Sequence, residues 1–246
     1  MGRLIKLVAV LAVLAVLGYF ADRYVEHVAE GKIATVVQAD AHLLARPAVK
    51  VHGFPFLTQL FGGKYHDVEV RADDVFQHGT PGGASMRLDF FGVSIPLSKA
   101  VKGSVTSAPV DHVTGSMTVP YDDLEATATA AGIVGVTSLA AVPGVADTVA
   151  FSEQAVVAGP GGVSLNLTAQ VTAKVVFTGG SLVVTATGVH VVGRTLPAAA
   201  TASVLSHATF SVPLPGLPVG VHVTALSVLP AGLAVTVGSG PLVLTR

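Results

Sequence analysis

Nine histidines and two acidic doublets are the side chains of this sequence best suited to chemistry. Imidazole can relay protons near neutral pH or ligate a metal, and paired carboxylates can divide acid and base roles. His27, His42, His52, His66, His78, His112, His190, His207 and His222 are scattered, however, and none falls in H-E-x-x-H or another tight ligand spacing. His66–Asp67 and Asp111–His112 are adjacent in sequence, which on a strand sends their side chains to opposite faces. Asp73–Asp74 and Asp122–Asp123 read as turn and helix-start residues. Ser94 and Ser164 each follow Gly-Val, but no G-x-S-x-G elbow forms around either. Gly63–Lys64 lacks the rest of a phosphate-binding loop. Asn166-Leu167-Thr168 is formally a glycosylation sequon, yet it falls inside an alternating run. There is no cysteine, so thiolate catalysis, disulfides and cysteine-bound zinc are excluded. These residues give no catalytic site, no metal site and no cofactor, and the reading is of a protein that is not an enzyme.

The elements that would position side chains are clearer. Residues 21–44 carry Val25, Val28, Ala29, Ile33, Val36 and Val37 at helical spacing, with Asp22, Arg23, Glu26, Glu30 and Lys32 assigned to the opposite face. Pro47 is expected to end this long amphipathic helix. The period then becomes two. Tyr65–Arg71, Met86–Phe90 and Val113–Val119 alternate, and Val163–Val175 alternates over a long half-buried strand. Gly179–Gly180 reads as a hairpin turn into residues 181–192. Short helices are expected at about 122–131, with acids in the first turn, and at 196–206, with Pro197 near its start. Pro143–Gly144 marks a turn.

The amino terminus reads as a targeting segment. Arg3 and Lys6 precede an apolar stretch ending at Phe20. From Leu4 it would measure about 25 Å as a helix, slightly short of the roughly 30 Å hydrocarbon core. Residues 1–20 are thus either a cleaved signal peptide or a signal anchor, the missing A-x-A site favouring the anchor. Both place the remainder on the outer side of the membrane. A buried core helix is the competing interpretation. Residues 21–246 are expected to form one α+β domain, since no linker or repeat divides them.

Composition narrows the partners. The net charge of −1 gives no reason to expect nucleic acid. Half of the residues are apolar and only 12% are charged. After Glu153 no acid occurs, and Lys174, Arg194 and Arg246 are the last charges. Such a half is either covered by other parts of the chain or close to a low-dielectric partner, unless codon bias toward Ala, Val and Gly explains it.

One run is unlike the rest. Val51-His52-Gly53-Phe54-Pro55-Phe56-Leu57-Thr58-Gln59-Leu60-Phe61-Gly62-Gly63-Lys64-Tyr65 concentrates Phe54, Phe56 and Phe61 around a proline and ends on a glycine pair. It reads as a rigid apolar turn that either plugs a core or meets an apolar partner, with Phe56 or Phe61 expected to be partly exposed. A second proline-rich turn, Val212-Pro213-Leu214-Pro215-Gly216-Leu217-Pro218-Val219-Gly220-Val221, lies near the carboxyl terminus. The first turn resembles the G-F-P-F-L-x-Q-L-x-x-G-x-Y signature of the LmeA-like phospholipid-binding proteins of the actinobacterial envelope, and the second resembles their L-P-G-L-P-x-G-V turn. The resemblance runs from about Asp22 to the end.

That resemblance implies a long helix wrapped by a strongly curved antiparallel sheet, similar to tubular lipid-binding folds of the bactericidal/permeability-increasing class. It implies phospholipid as ligand, a membrane as partner, and an exported carrier or chaperone whose apolar tunnel needs no catalysis. The residues expected at the tunnel or its entrance are Phe54, Phe56, Leu57, Leu60, Phe61, Val68, Val70, Leu88, Phe90, Leu165, Leu167, Val171, Leu214 and Leu217. The aliphatic strand faces, with no tryptophan, suit acyl chains. The alternative is a membrane-anchored structural or interaction protein with a filled core.

Overall fold

In the computed structural model the described residues are 2–41, 43–73, 75, 84–130, 136–158, 164–178, 180–191, 195–213 and 219–245. The chain starts with one unbroken helix, α1 (Gly2–Asp40), followed by β1 (Ala48–His52), α2 (Phe56–Gly62), β2 (Lys64–Ala72) and β3 (Ser85–Ser94). Next come α3 (Leu97–Lys102), β4 (Ser107–Val110), β5 (His112–Pro120), α4 (Tyr121–Ala130), β6 (Thr137–Ala141) and β7 (Thr148–Ala158). The long hairpin β8 (Ser164–Thr178) and β9 (Ser181–His190) leads to α5 (Ala198–His207) and β10 (Phe210–Pro213). Finally β11 (His222–Leu229), β12 (Gly232–Ser239) and β13 (Leu242–Thr245) return.

The strands form a mixed α+β structure with antiparallel sheets that do not close into a barrel. A six-stranded sheet has the order β1-β2-β3-β5-β12-β11, a five-stranded sheet has the order β10-β9-β8-β7-β6, and β13 pairs with β4. The alternation explains both main sheets. Val68 and Val70 lie opposite Phe90 and Leu88, and opposite Val51 and Val49 on the other side. Ala169, Val171, Ala173 and Val175 are buried along β8, while Thr168, Gln170 and Lys174 are exposed. The register shifts between Thr172 and Ala173, which pair with Gly188 and Ala186, so β9 carries Thr187 as a bulge against β8. One contiguous apolar core includes residues from both large sheets.

The short helix α4 joins these sheets through its acids. Asp123 accepts the Ala84 amide at 2.9 Å, beside the start of β3, and Glu125 accepts the Leu139 amide of β6 at 2.6 Å. The Tyr121 hydroxyl donates to the Leu229 carbonyl at 2.6 Å, fixing the same corner to β11.

Three expectations about α1 need correction. Among the described residues no helix is long and apolar enough to cross a membrane, so a spanning anchor is not supported. The apolar run stops at Ala21, and Asp22, Arg23 and Glu26 come next on the same uninterrupted helix. The helix ends at Asp40, before Pro47. Its acids do not face away from the fold: Asp22 and Glu26 are buried at 2% and 6% exposure. Val25, Ala29, Ile33 and Val37 do contact the core, but Val28 and Val36 are exposed. Helix α1 lies beside β1 and α2, at one edge of the six-stranded sheet.

Candidate functional site at the aromatic turn

The Phe-rich run folds into a short helix held at its amino end by another helix. Pro55, with φ −75° and ψ 141°, precedes α2 and offers no side-chain cap. Asp22 of α1 takes that role: its two carboxylate oxygens accept the Phe56 amide at 3.0 Å and the Leu57 amide at 2.7 Å. These are amides that a helix start otherwise leaves unsatisfied. Gln59, buried at 5% exposure, fixes the other side. Its amide nitrogen donates to the carbonyls of His52 and Gly53 at 3.2 and 3.1 Å, and its oxygen accepts the His66 amide at 3.0 Å.

The bordering glycines serve fixed geometry. Gly53 has φ +107°, and a Cβ there would lie 2.8 Å from Gln59 Nε2. Gly63 has φ +65°, closes α2 by donating to Gln59 and Leu60, and accepts the Ile95 amide at 2.9 Å. That last bond sets α2 beside α3. The motif is therefore a pinned two-turn helix, where proline and glycine spacing suggests a turn without helix.

Its three phenylalanines divide between core and surface. Phe56 is 1% exposed, its ring 6.1 Å from that of Tyr65. Phe54 and Phe61 are 61% and 72% exposed. Phe61 thus fulfils the expectation of an exposed ring, whereas Phe56 does not, its ring being packed in the core beside Tyr65. Leu57 and Leu60 are half-buried. The Phe54 ring lies 5.9 Å from Tyr19, which lies 5.8 Å from Phe20, and the Arg23 guanidinium sits 5.3 Å from the Phe54 centroid and 5.8 Å from that of Tyr19. Arg23 also pairs with Glu26 at 2.6 Å. The result is an exposed aromatic rim carrying a cation. Tyr19 and Phe20 belong to the segment that reads as a targeting signal, and their place at the end of an apolar run is the sequence feature that singles them out.

The expected tunnel residues fall into three groups. Val68, Val70, Leu88 and Phe90 are buried together on one face of β2 and β3. Val171 is fully buried on β8, opposite Phe151 of β7 in the other sheet. Leu165 and Leu167 belong to β8, with side chains outside the described residues, and Leu214 and Leu217 lie outside them altogether.

The model of the LmeA-like phospholipid-binding family matches residues 20–238. The chain belongs to that family. No curated protein and no solved structure matches it. Membership of this family points to phospholipid binding.

Among the described residues no group of three or more His, Asp or Glu side chains could hold a metal ion. A groove of about 260 Å³ runs beside α1 and β1, lined by Glu30, Ala48, Val49, Lys50, Glu69 and Arg71. Its acids are engaged. Glu30 accepts the Val51 amide at 3.0 Å, satisfying an edge-strand donor. Glu69 faces His52 at 2.9 Å, Arg87 at 3.2 Å and the Arg71 guanidinium. Burial alone would raise the Glu69 pKa, but hydrogen bonds from His52 and Arg71 and the charges of Arg71 and Arg87 bring it below the usual carboxylate range.

Proposed function

We propose that residues 21–246 form a single lipid-binding domain that takes up phospholipid acyl chains and acts in the cell envelope as a carrier or chaperone, without catalysis. The match of the phospholipid-binding family to residues 20–238 carries this reading. In it, Val68, Val70, Leu88 and Phe90 contact the acyl chains from the first sheet, and Leu165, Leu167 and Val171 from the second. Phe54 and Phe61, with Leu57 and Leu60 behind them, border the entrance, and Leu214 and Leu217 contribute from the second proline-rich turn.

Energetics set the form of such a mechanism. Burying acyl chains gains about 0.8 kcal/mol per CH₂ relative to water, yet a lipid in a bilayer already has that gain. Transfer between bilayer and protein is consequently close to balanced, and a carrier can load and unload without an energy source. What the protein must supply is a path that keeps the chains out of water.

The experiment is extraction of lipid from protein purified out of cells, read by mass spectrometry. Stoichiometric phospholipid is the expected result. Protein that carries none, and takes none from vesicles, would favour the rival reading of a structural envelope protein with a filled core.

A further inference from the structure

We propose that the aromatic rim, together with α3, is a docking surface for an anionic bilayer. The inference concerns the membrane on which the protein rests, not the lipid it holds. The first observation is α1 itself: Leu11, Val13, Leu14, Val16 and Leu17 are between 54% and 60% exposed. At 100° per residue these positions surround the helix, leaving no polar side. A partner protein covers one face of a helix, whereas a helix apolar all round calls for a medium that encloses it. Because no helix among the described residues is long and apolar enough to cross a membrane, the fitting arrangement is insertion of these turns into the near leaflet alone, where acyl chains enclose them.

The second observation is the aromatic boundary of those turns. Tyr19, Phe20 and Phe54 are exposed at the end of the apolar run, with Arg23 against the rings of Tyr19 and Phe54. Aromatic side chains with a neighbouring cation suit the headgroup level. The third observation is charge. Helix α3, beside α2, exposes Val101 at 75% together with Lys99 and Lys102, and neither lysine has an ion-pair partner among the described residues. The nearby acids of α1, Asp22 and Glu26, are turned inward and buried. Lys64 is also exposed, 3.9 Å from Asp111. The surface is apolar and positive, the complement of an anionic headgroup layer.

Flotation of the full chain with phosphatidylcholine vesicles, with and without phosphatidylglycerol, tests the proposal. The unaltered protein is expected to float with the vesicles containing phosphatidylglycerol, and less as salt is raised. Each basic residue beside an anionic surface changes partitioning about fivefold, so Lys99→Glu combined with Lys102→Glu should lower binding at least about tenfold. Circular dichroism and the phospholipid retained after purification should be unchanged in that variant, which separates docking from lipid loading. Phe20→Ser should weaken binding to both vesicle types. Equal flotation of the lysine variant would overturn the proposal, as would binding indifferent to phosphatidylglycerol. So would a concentration-dependent dimer, seen by light scattering and abolished by Phe20→Ser, in a protein that ignores vesicles.

Discussion

Asp22 Oδ2 accepts the backbone amide of Phe56 across 3.0 Å, so a carboxylate on α1 caps a helix that begins 34 residues later. Its other oxygen takes the Leu57 amide, and the residue is 2% exposed. Removing it takes the acceptor from one buried amide, that of Phe56, and from one partly buried amide, that of Leu57. Asp22→Ala should destabilise the protein by about 2 kcal/mol, the range of a lost cap with charge-assisted bonds. Asp22→Asn, which retains one acceptor, should recover part of that. Urea denaturation measures both, and an alanine variant as stable as the parent would show that the capping bonds contribute nothing.

The phenylalanines of the same motif should separate sharply. Phe56→Ala removes a fully buried ring and should cost about 3–5 kcal/mol. Phe54→Ala and Phe61→Ala alter exposed rings and should stay within about 0.5 kcal/mol of the parent. If these two border a lipid entrance, their loss slows lipid pick-up from vesicles while melting temperature holds. Normal transfer rates in both would remove the motif from the lipid path.

Much of this is legible in the residues, and what is not has identifiable causes. Alternation locates β2, β3, β5 and β8, and the glycine pair places the β8–β9 hairpin, because one buried face dictates period two. Acids and Pro197 mark α4 and α5 to within a few residues. The division of strands between two main sheets is not legible, since alternation says which face is buried but not which strand lies alongside. Helix α2 is concealed because its cap comes from Asp22, far away in sequence. The acids of α1 defeat a helical-wheel reading for the same reason: Asp22 and Glu30 each satisfy a backbone amide of a distant segment. In the candidate site, the aromatic run is visible, but Tyr19 and Phe20 become part of it only through the packing of α1 beside α2.

The proposed lipid contacts of the first sheet can be tested by bulk. Leu88 is 4% exposed and lies opposite Val70, beside the Val68–Phe90 pair. If acyl chains run along this face, Leu88→Trp takes space from lipid: phospholipid per molecule falls and the melting temperature changes little. A filled core would instead be overpacked by about 1–3 kcal/mol. A large drop in melting temperature with unchanged lipid content counts against these contacts.

Glu69 should make stability fall in acid. It is almost buried among His52, Arg71 and Arg87, and its folded-state pKa is depressed. A depressed carboxylate contributes its stability above the unfolded-state pKa and loses it as pH falls through the folded-state value. Glu69→Gln should therefore be less stable than the parent at neutral pH, and the gap should close in strong acid. Denaturation at several pH values measures this, and a gap that is constant with pH would assign the loss to geometry alone.

Glu153 should behave in the opposite sense. It is the last acid of the chain and is 6% exposed on β7, two residues from buried Phe151 and opposite Ala169 of β8. Its Oε2 has no hydrogen-bond partner among the described residues. Burial raises its pKa above the usual carboxylate range, and the His207 charge offsets only part of this. Below the unfolded-state pKa both states are protonated and burial carries no ionic penalty. As pH rises through the unfolded-state value, the unfolded chain ionises first, and the penalty grows until the folded-state pKa is passed. Glu153→Gln should consequently be more stable than the parent at neutral pH, with the advantage shrinking toward acid. Melting curves from acid to neutral pH are the measurement. A glutamine variant less stable than the parent at neutral pH would mean that the carboxylate of Glu153 is satisfied in the folded protein.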